Sequence, residues 1–225
     1  MDTGFRNLTL HTRWLIGLLI ANMSLEFLSA CSSWLQLQVL TTVGAAQEMV
    51  DTATLLLGLV ALLFLVAQIA TLVVFAVWIV RAHRNLPDLG AEDLDVTPGW
   101  ALGWFFVPIA FYWKPYQAMR TLLQASRDAR RWKLEDVPWW LPAWWTLWTI
   151  SNLLGQVYLR FMMGTFGKAS DIEMAQLDIV SGAIGTVLSG FAILLVARIW
   201  SAQRAQRLAR ASQGPVSQLS MPVAP

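Results

Sequence analysis

The stretch GWALGWFFVPIAFYWKP, residues 99–115, decides how many times this chain crosses a membrane. It is apolar and aromatic enough to leave water. However, residues 100–113 would give only about 21 Å of helix, whereas a hydrocarbon core is ~30 Å thick. Pro108 in the middle would also interrupt a helix, because proline lacks a backbone donor and clashes with the preceding turn. The stretch therefore spans poorly, and it either lies in the interface or enters the membrane and returns.

The composition is that of a membrane protein. Of the 225 residues, 56% are hydrophobic and 13% are charged, which is about half the charged share of a soluble domain. The net charge of +2 gives no support to nucleic-acid binding, which depends on a strong basic excess. The single cysteine, Cys31, excludes an internal disulfide and a multi-cysteine metal site.

Four apolar runs are long enough to cross a bilayer: residues 14–35, 53–80, 141–161 and 179–200. None of them has the alternating pattern of a membrane barrel strand. In lipid, a helix satisfies its own backbone hydrogen bonds, so helix is the spanning structure that remains. The sequence predicts an all-α integral membrane protein with four transmembrane helices.

The lysines and arginines indicate the direction of these spans. If residues 99–115 do not cross, fourteen of the sixteen basic residues fall on the side of both termini, and two fall on the other side. If the stretch crosses, the split becomes six against ten. Since cytoplasmic loops carry the excess of basic residues, the first arrangement is favoured. We predict that both termini are cytoplasmic and that residues 99–115 form a re-entrant or interfacial element on the cytoplasmic side.

Capping and proline signals predict where the helices around this element begin and end. Thr97 caps a helix that has Pro98 at its first position, Pro108 breaks it, and Pro115 begins another. The helix predicted over residues 115–133 is amphipathic, and it either lies on an anionic leaflet or packs over the inner ends of the spans. Residues 1–203 are predicted to form a single polytopic membrane domain, and residues 204–225 a disordered tail that is basic and then polar.

Three segments carry a family resemblance: WIVRAHRNLPDLG (residues 78–90), TPGWALGWFFVPIAFYWKPYQAM (97–119) and WWTLWTISNLLG (144–155). They resemble the signatures of a bacterial multi-pass membrane family known as domain of unknown function 4328. The resemblance covers residues 51–200. It implies a protein of the bacterial cytoplasmic membrane, and it implies no activity.

Polar side chains inside the predicted spans are candidate sites. Glu26 would lie about 20 Å into the first span, where an ionisable group costs at least ~2.5 kcal/mol unless it is paired or wet. Two polar stripes and one glutamine of the second span are predicted to face one another. This pattern indicates a polar pathway or proton site, or else hydrogen bonds that hold the helices together. The candidates are Asn22, Glu26, Gln68, Asn152, Gln156 and Arg160.

Small residues at three- and four-residue spacing mark a packing face on the fourth span. Such residues let two helix backbones approach closely, either within one chain or between two copies. The packing candidates are Ser181, Gly182, Gly185 and Ser189.

Tryptophans and arginines gather at the predicted cytoplasmic side. Indole rings favour the headgroup level, so these residues form either an aromatic belt or a cleft for a lipid. The lipid and interface candidates are Trp100, Trp104, Trp113, Arg120, Arg127, Arg131, Trp144 and Trp145. The acidic side chains of residues 88–95 are expected to pair with the arginines of residues 127–131.

No catalytic residue, cofactor or metal site is expected, because no known catalytic or phosphate-binding motif occurs. The leading hypothesis is a non-enzymatic scaffold or regulatory protein at the cytoplasmic leaflet. The alternative is a transporter or channel subunit with a polar site around Glu26. The expected partners are membrane lipids and a second copy or another membrane protein, and not nucleic acid. A four-residue resemblance to a lipoprotein box at residues 28–31 leaves lipidation of Cys31 open.

Overall fold

The computed structural model describes residues 5–42, 47–165, 167 and 169–213, and in this part of the chain the regular elements are helices. Three short 3-10 helices accompany them, at Trp104–Phe106, Ala110–Tyr112 and Trp132–Leu134. The α-helices are α1 (Thr9–Thr41), α2 (Gln47–Asp88), α3 (Pro98–Gly103), α4 (Lys114–Arg127), α5 (Trp140–Met162) and α6 (Asp171–Gln213).

Three of the described helices are long and apolar enough to cross a membrane: Thr9–Thr41, Asp51–Asp88 and Asp171–Ser212. The prediction of an all-helical, membrane-type chain is thereby confirmed. The third predicted span, residues 141–161, forms the helix α5, which has 23 residues but is not among these three. Its tryptophans and its polar Asn152, Gln156 and Arg160 make it less apolar than the other long helices.

The long helices extend past the predicted bounds, because an apolar window marks only the part that suits lipid. The largest difference concerns the predicted disordered tail, since residues 204–213 belong to α6. Gln206 donates hydrogen bonds to the carbonyl oxygens of Ala125 and Ser126, and Arg210 donates one to that of Asp88. These bonds hold the end of α6. The remainder of the predicted tail, residues 214–225, lies outside the described residues.

The described residues form two compact units, whereas the sequence predicted one membrane domain. The first unit comprises the described residues within Met1–Thr12, Ala76–Val137 and Leu195–Pro225. The second comprises Arg13–Phe75 and Pro138–Leu194, apart from the undescribed positions among them. Helices α1, α2 and α6 therefore contribute residues to both units.

The first unit has a buried core in which α4 packs. Nine of the fourteen residues of α4 are buried, among them Met119, Leu122 and Leu123. They are joined in the core by fully buried residues of α2 and α6, such as Trp78 and Ile199. Of the two arrangements open at the sequence level, packing of α4 within the protein is the one observed.

Helix α4 ends at Arg127, six residues before the predicted end. The chain becomes extended at Asp128 (φ −141°), whose Oδ1 accepts hydrogen bonds from the backbone N–H groups of Arg130 and Arg131. An aspartate that bonds the backbone two residues on makes a turn in place of a helix. Desolvation acts to raise the pKa of Asp128, but the hydrogen bonds from Arg131 and Arg130 outweigh it and hold that pKa below its ordinary value.

Helix α2 ends in a Schellman motif at Gly90. The N–H of Gly90 bonds the carbonyl of Pro87, and the N–H of Ala91 bonds that of Leu86. The φ of Gly90 is +79°, and a β-carbon there would meet the guanidinium group of Arg210. The positive φ is what favours glycine at this position, because the end of the flexible Arg210 side chain can move aside.

Residues 99–115 contain no helix longer than the six residues of α3. Thr97 accepts a hydrogen bond from the N–H of Trp100, and Pro98 begins the helix, as predicted. The chain is extended at Val107, before Pro108, and Pro115 lies in the first turn of α4. Ile109 adopts φ 69°, a conformation that is unusual for a β-branched residue. This backbone is not a membrane-crossing helix.

In the second unit, many large apolar side chains point outward. Along α2 the exposed residues include Leu55, Leu62, Val66 and Ile69. A water-soluble domain would bury such a surface. Its presence around a long apolar helix is what a lipid-facing segment requires.

Candidate functional site

Glu26 lies against α6 in the second unit. Ser189 donates a hydrogen bond to Glu26 Oε2 at 3.1 Å. A β-carbon on Gly185 would lie 2.5 Å from the carboxyl carbon of Glu26, and one on Gly182 would lie 2.7 Å from its backbone oxygen. The two glycines therefore make the space that the carboxyl group and the α1 backbone occupy.

Two further polar groups on the same face of α1 are buried without a partner. Asn22 donates a hydrogen bond to Thr71 Oγ1 at 2.7 Å, but within the described residues its Oδ1 accepts none. Ser33 Oγ is likewise buried and unbonded there. Burying a polar atom without a hydrogen bond costs about 1–3 kcal/mol of folding free energy. This face of α1 therefore has buried hydrogen-bonding atoms that the neighbouring described residues do not satisfy.

The other predicted members of this cluster lie elsewhere. The side chains of Gln68 and Gln156 are exposed, and so is that of Arg160. Asn152 donates its hydrogen bond to the carbonyl of Trp148 in its own helix. The helix that faces Glu26 is α6, whereas the sequence analysis placed the facing stripe on the third predicted span.

The predicted small-residue face of α6 is the face that receives Glu26. Gly182, Gly185 and Ser189 are buried, and Ser181 is half-buried. A β-carbon at Gly182 would also lie 3.0 Å from the β-carbon of Ala30. These residues serve packing between α1 and α6 of one chain, which is one of the two uses that the spacing indicates.

A buried hydrogen-bond network in the first unit was missed at the sequence level. Asn85 Nδ2 donates to Gln203 Oε1 at 3.1 Å, and Gln203 Nε2 donates to Ala82 O and to Ser126 Oγ, both at 3.0 Å. Asn85 also exchanges two hydrogen bonds with the backbone of Arg6. The network thus joins the N-terminal segment, α2, α4 and α6.

One sequence signal could have revealed this network. Gln203, Gln206 and Arg210 are spaced by three and four residues, so they share one face of a helix. This spacing did not lead to a helix prediction, because the basic, polar composition of the segment is also typical of a disordered tail.

The first unit also has a basic cleft of about 500 Å³ beside α4, which we call the Lys114 cleft. The Nζ of Lys114 lies 5.5 Å from the ring centroid of Trp104, and the Nζ of Lys133 lies 5.3 Å from that of Trp132. Such cation–π contacts hold the ammonium groups in place. The cleft is lined by three bases, one carboxylate, two indoles and several uncharged side chains: Lys114, Arg120, Lys133, Asp95, Trp104, Trp132, Val96, Gln117, Thr121 and Gln124.

A second basic cleft, of about 680 Å³, shares Trp132 and Lys133 with the first. We call it the Arg210 cleft. Its bases are Arg130, Arg131, Lys133 and Arg210, and its acids are Glu92 and Asp93. The two clefts thus lie side by side on the surface of the first unit, and both have an excess of positive charge.

The predicted interface arginines therefore have different surroundings. Arg120 lines the Lys114 cleft and Arg131 the Arg210 cleft. Arg131 also forms an ion pair of 3.3 Å with Asp128, and Arg127 donates to the carbonyl of Asp136. The ion pair that the acidic loop makes within the described residues joins Asp93 to Lys133 at 4.0 Å, so the expected pairing with residues 127–131 is not observed.

The predicted interface tryptophans fall into two groups. In the first unit, the rings of Trp100 and Trp104 lie 4.5 Å apart, and Trp113 is exposed. In the second unit, Trp144 and Trp145 are buried at the start of α5, and Trp145 stacks on Trp148 at 4.4 Å. In the first group Trp104 lines the Lys114 cleft and Trp100 contacts Trp104, whereas the second group packs among its neighbours.

Among the described residues, no group of three histidine, cysteine, aspartate or glutamate side chains lies close enough to hold a metal ion. The buried His83 has its ring nitrogens 3.0 Å from Ile79 O and 3.3 Å from Ala118 O. Burial lowers the pKa of His83 to about 4, so the neutral ring has one N–H to donate to one of these two carbonyls, and neither nitrogen is turned toward a cleft.

Comparison with known families gives one match. A family described as Domain of unknown function (DUF4328) matches residues 41–201, which is more than half of the chain. The matched region includes the whole of residues 99–115, α4 and both sides of the Lys114 cleft. No curated protein and no solved structure matches the chain.

Proposed function

Since the chain belongs to the family described as Domain of unknown function (DUF4328), which carries no assigned activity, we propose a function from its surface chemistry. The protein is a non-enzymatic membrane protein that scaffolds or regulates partners at the cytoplasmic leaflet of a bacterial membrane. In this proposal four helices span, namely α1, α2, α5 and α6, and residues 99–115 stay on the cytoplasmic side.

The observation that carries the proposal is the pair of adjacent basic clefts on the first unit. Their bases, with the exception of Arg210, come from residues 114–133, which the charge count assigns to the cytoplasm. The buried Asn85–Gln203–Ser126 network holds α2, α4 and α6 together in the same unit. A rigid, positively charged surface next to a membrane suits acidic protein segments and anionic lipids.

Purification of the tagged full-length protein from its own membranes in mild detergent tests this role. We expect a partner protein or lipid to co-purify with the wild type and to be reduced in an Arg130→Gln/Arg210→Gln variant. Glu48→Gln, which changes an exposed residue of the second unit, is the matched control. Recovery of neither partner nor lipid, or equal recovery with the cleft variant, would contradict the proposal.

A second candidate function is favoured by the Glu26 region. An intramembrane carboxyl group bonded by Ser189, with unbonded Asn22 Oδ1 and Ser33 Oγ on the same helix face, suits a proton or cation site of a transporter or channel subunit. In proteoliposomes, Glu26→Gln should then reduce proton or monovalent cation flux, while Glu48→Gln should not. An unchanged flux in a Glu26→Gln protein that melts like the wild type would reject this candidate.

A further inference from the structure

We propose that the Lys114 cleft binds the phosphate group of an anionic phospholipid whose acyl chains lie on the exposed apolar side chains of residues 100–113. This inference rests on the proposed position at the cytoplasmic leaflet and names the ligand of that surface.

The charge of the cleft selects an anion. Lys114, Arg120 and Lys133 face a single carboxylate, that of Asp95. Within the described residues neither Lys114 nor Arg120 makes a salt bridge, and the pair of Lys133 with Asp93 is long and exposed. The three bases thus keep their charge available to a ligand, and arginine and lysine side chains bind phosphate groups through strong, charge-assisted hydrogen bonds.

The indole rings keep two of these bases in place before a ligand arrives. Lys114 lies over Trp104, and Lys133 lies over Trp132, whose Nε1 donates to the carbonyl of Glu92 at 3.0 Å. Because Trp132 is anchored to the acidic loop, the position of Lys133 is tied to the core of the unit. A site whose charged groups are already ordered binds with less loss of side-chain entropy.

The surface beside the cleft distinguishes a lipid from a soluble anion. Trp104, which lines the cleft, packs on Trp100, and Trp100 begins a run of exposed apolar side chains that continues through Phe106 and Ile109 to Trp113. Ile109 is 72% exposed and Phe106 is 68% exposed. A free phosphate needs no such surface, whereas the acyl chains of a phospholipid would cover it.

The backbone at Ile109 supports the same assignment. A β-branched residue with φ 69° is strained, and strain of this kind collects at functional sites. Here it places a large apolar side chain at the exposed turn between Pro108 and Ala110. The strained turn thus presents apolar surface next to a basic cleft, which is the combination that a phospholipid requires.

Native mass spectrometry of the delipidated full-length protein, with added phosphatidylglycerol or phosphatidylcholine, tests the inference. We expect one phosphatidylglycerol to bind in preference to phosphatidylcholine. Lys114→Gln/Arg120→Gln should weaken that binding about tenfold or more, and Arg120→Lys should retain most of it. Arg84→Gln/Arg198→Gln removes the same charge at exposed positions outside both clefts and should bind as the wild type does.

Two further measurements distinguish a phospholipid from free inorganic phosphate as the ligand of the cleft. Inorganic phosphate should not displace the lipid, and Phe106→Ser/Ile109→Ser should weaken lipid binding without any change in the cleft. Displacement by inorganic phosphate would assign the cleft to a soluble anion and overturn the inference. An equal loss of phosphatidylglycerol binding in the cleft and control variants would overturn the inference as well, because the loss would then follow from net charge alone.

The outcome is separable from that of the proposed function. If phosphatidylglycerol binds as expected while the Arg130→Gln/Arg210→Gln variant recovers partner and lipid as the wild type does, the lipid site stands and the scaffold role falls. If a partner co-purifies and depends on Arg130 and Arg210, while phosphatidylglycerol shows no preference over phosphatidylcholine, the lipid site alone falls.

Discussion

At the scale of single residues, the packing of Glu26 against α6 explains the glycine at position 185. The side-chain carboxyl of Glu26 occupies the space that a β-carbon on Gly185 would need, and Ser189 supplies the hydrogen bond one turn further along α6. The glycine is explained by its neighbour rather than by its own backbone, because it lies in a regular helix. Sequence spacing identified the small residues, but it did not identify what fills the space beside them.

Gly185→Ala should therefore destabilise the protein by about 1 kcal/mol, because the Glu26 carboxyl group must move aside and lose its hydrogen bond with Ser189. Thermal unfolding in detergent measures this change. Gly190→Ala is the matched control on the same helix, since nothing lies within 4 Å of its β-carbon. In a Glu26→Ala background the cost of Gly185→Ala should shrink, because the methyl group then has room. An equal cost in both backgrounds would show that the carboxyl group is not the obstacle.

At the scale of helices, the first unit depends on Gln203. This side chain is 1% exposed, and it bonds groups from α2 and α4 while belonging to α6. Its apolar neighbours, such as Ile199 and Leu195, bury the surrounding surface. One polar residue in an apolar interface fixes the register of the helices, because a shift by one residue would leave several buried groups unbonded.

Gln203→Leu should lower the free energy of unfolding by about 2–4 kcal/mol, since it removes the buried hydrogen bonds that Asn85 Nδ2, the Ala82 carbonyl and Ser126 Oγ make with Gln203. Tryptophan fluorescence during thermal or denaturant unfolding reports the change, because Trp78 is buried in this unit. Gln156→Leu, at an exposed position, should cost much less. The Gln203→Leu/Asn85→Leu double variant should cost less than the sum of the single variants, and full additivity would contradict a shared network.

At the scale of the whole molecule, residues 99–115 determine how many segments cross the membrane. Their longest helix is the six-residue α3, which gives about 9 Å of length. A backbone in this form would leave unbonded groups in a hydrocarbon core. The local geometry therefore argues against a helical crossing by this segment, and the charge count argues against a crossing as well.

Cysteine labelling tests the topology in a Cys31→Ser background. Glu92→Cys should react with a membrane-impermeant reagent only when the cytoplasmic face is open, and Thr41→Cys should react from outside in intact cells. Phe106→Cys should not react from outside, and its labelling there would mean that residues 99–115 cross. Position 90 is unsuitable for a probe, because its positive φ strains the backbone of any residue other than glycine.

The sequence by itself determined the helical membrane character, the cap at Thr97, the break at Pro108 and the start of α4 near Pro115. These features depend on composition and on interactions within a few residues, which are readable along the chain. Only the tertiary structure decided that Glu26 faces α6, that α4 ends at Asp128, and that residues 204–213 are helical because Gln203, Gln206 and Arg210 bond to α2 and α4. The physical reason is that these outcomes depend on contacts between residues far apart in the chain, and local propensity cannot specify which polar groups meet.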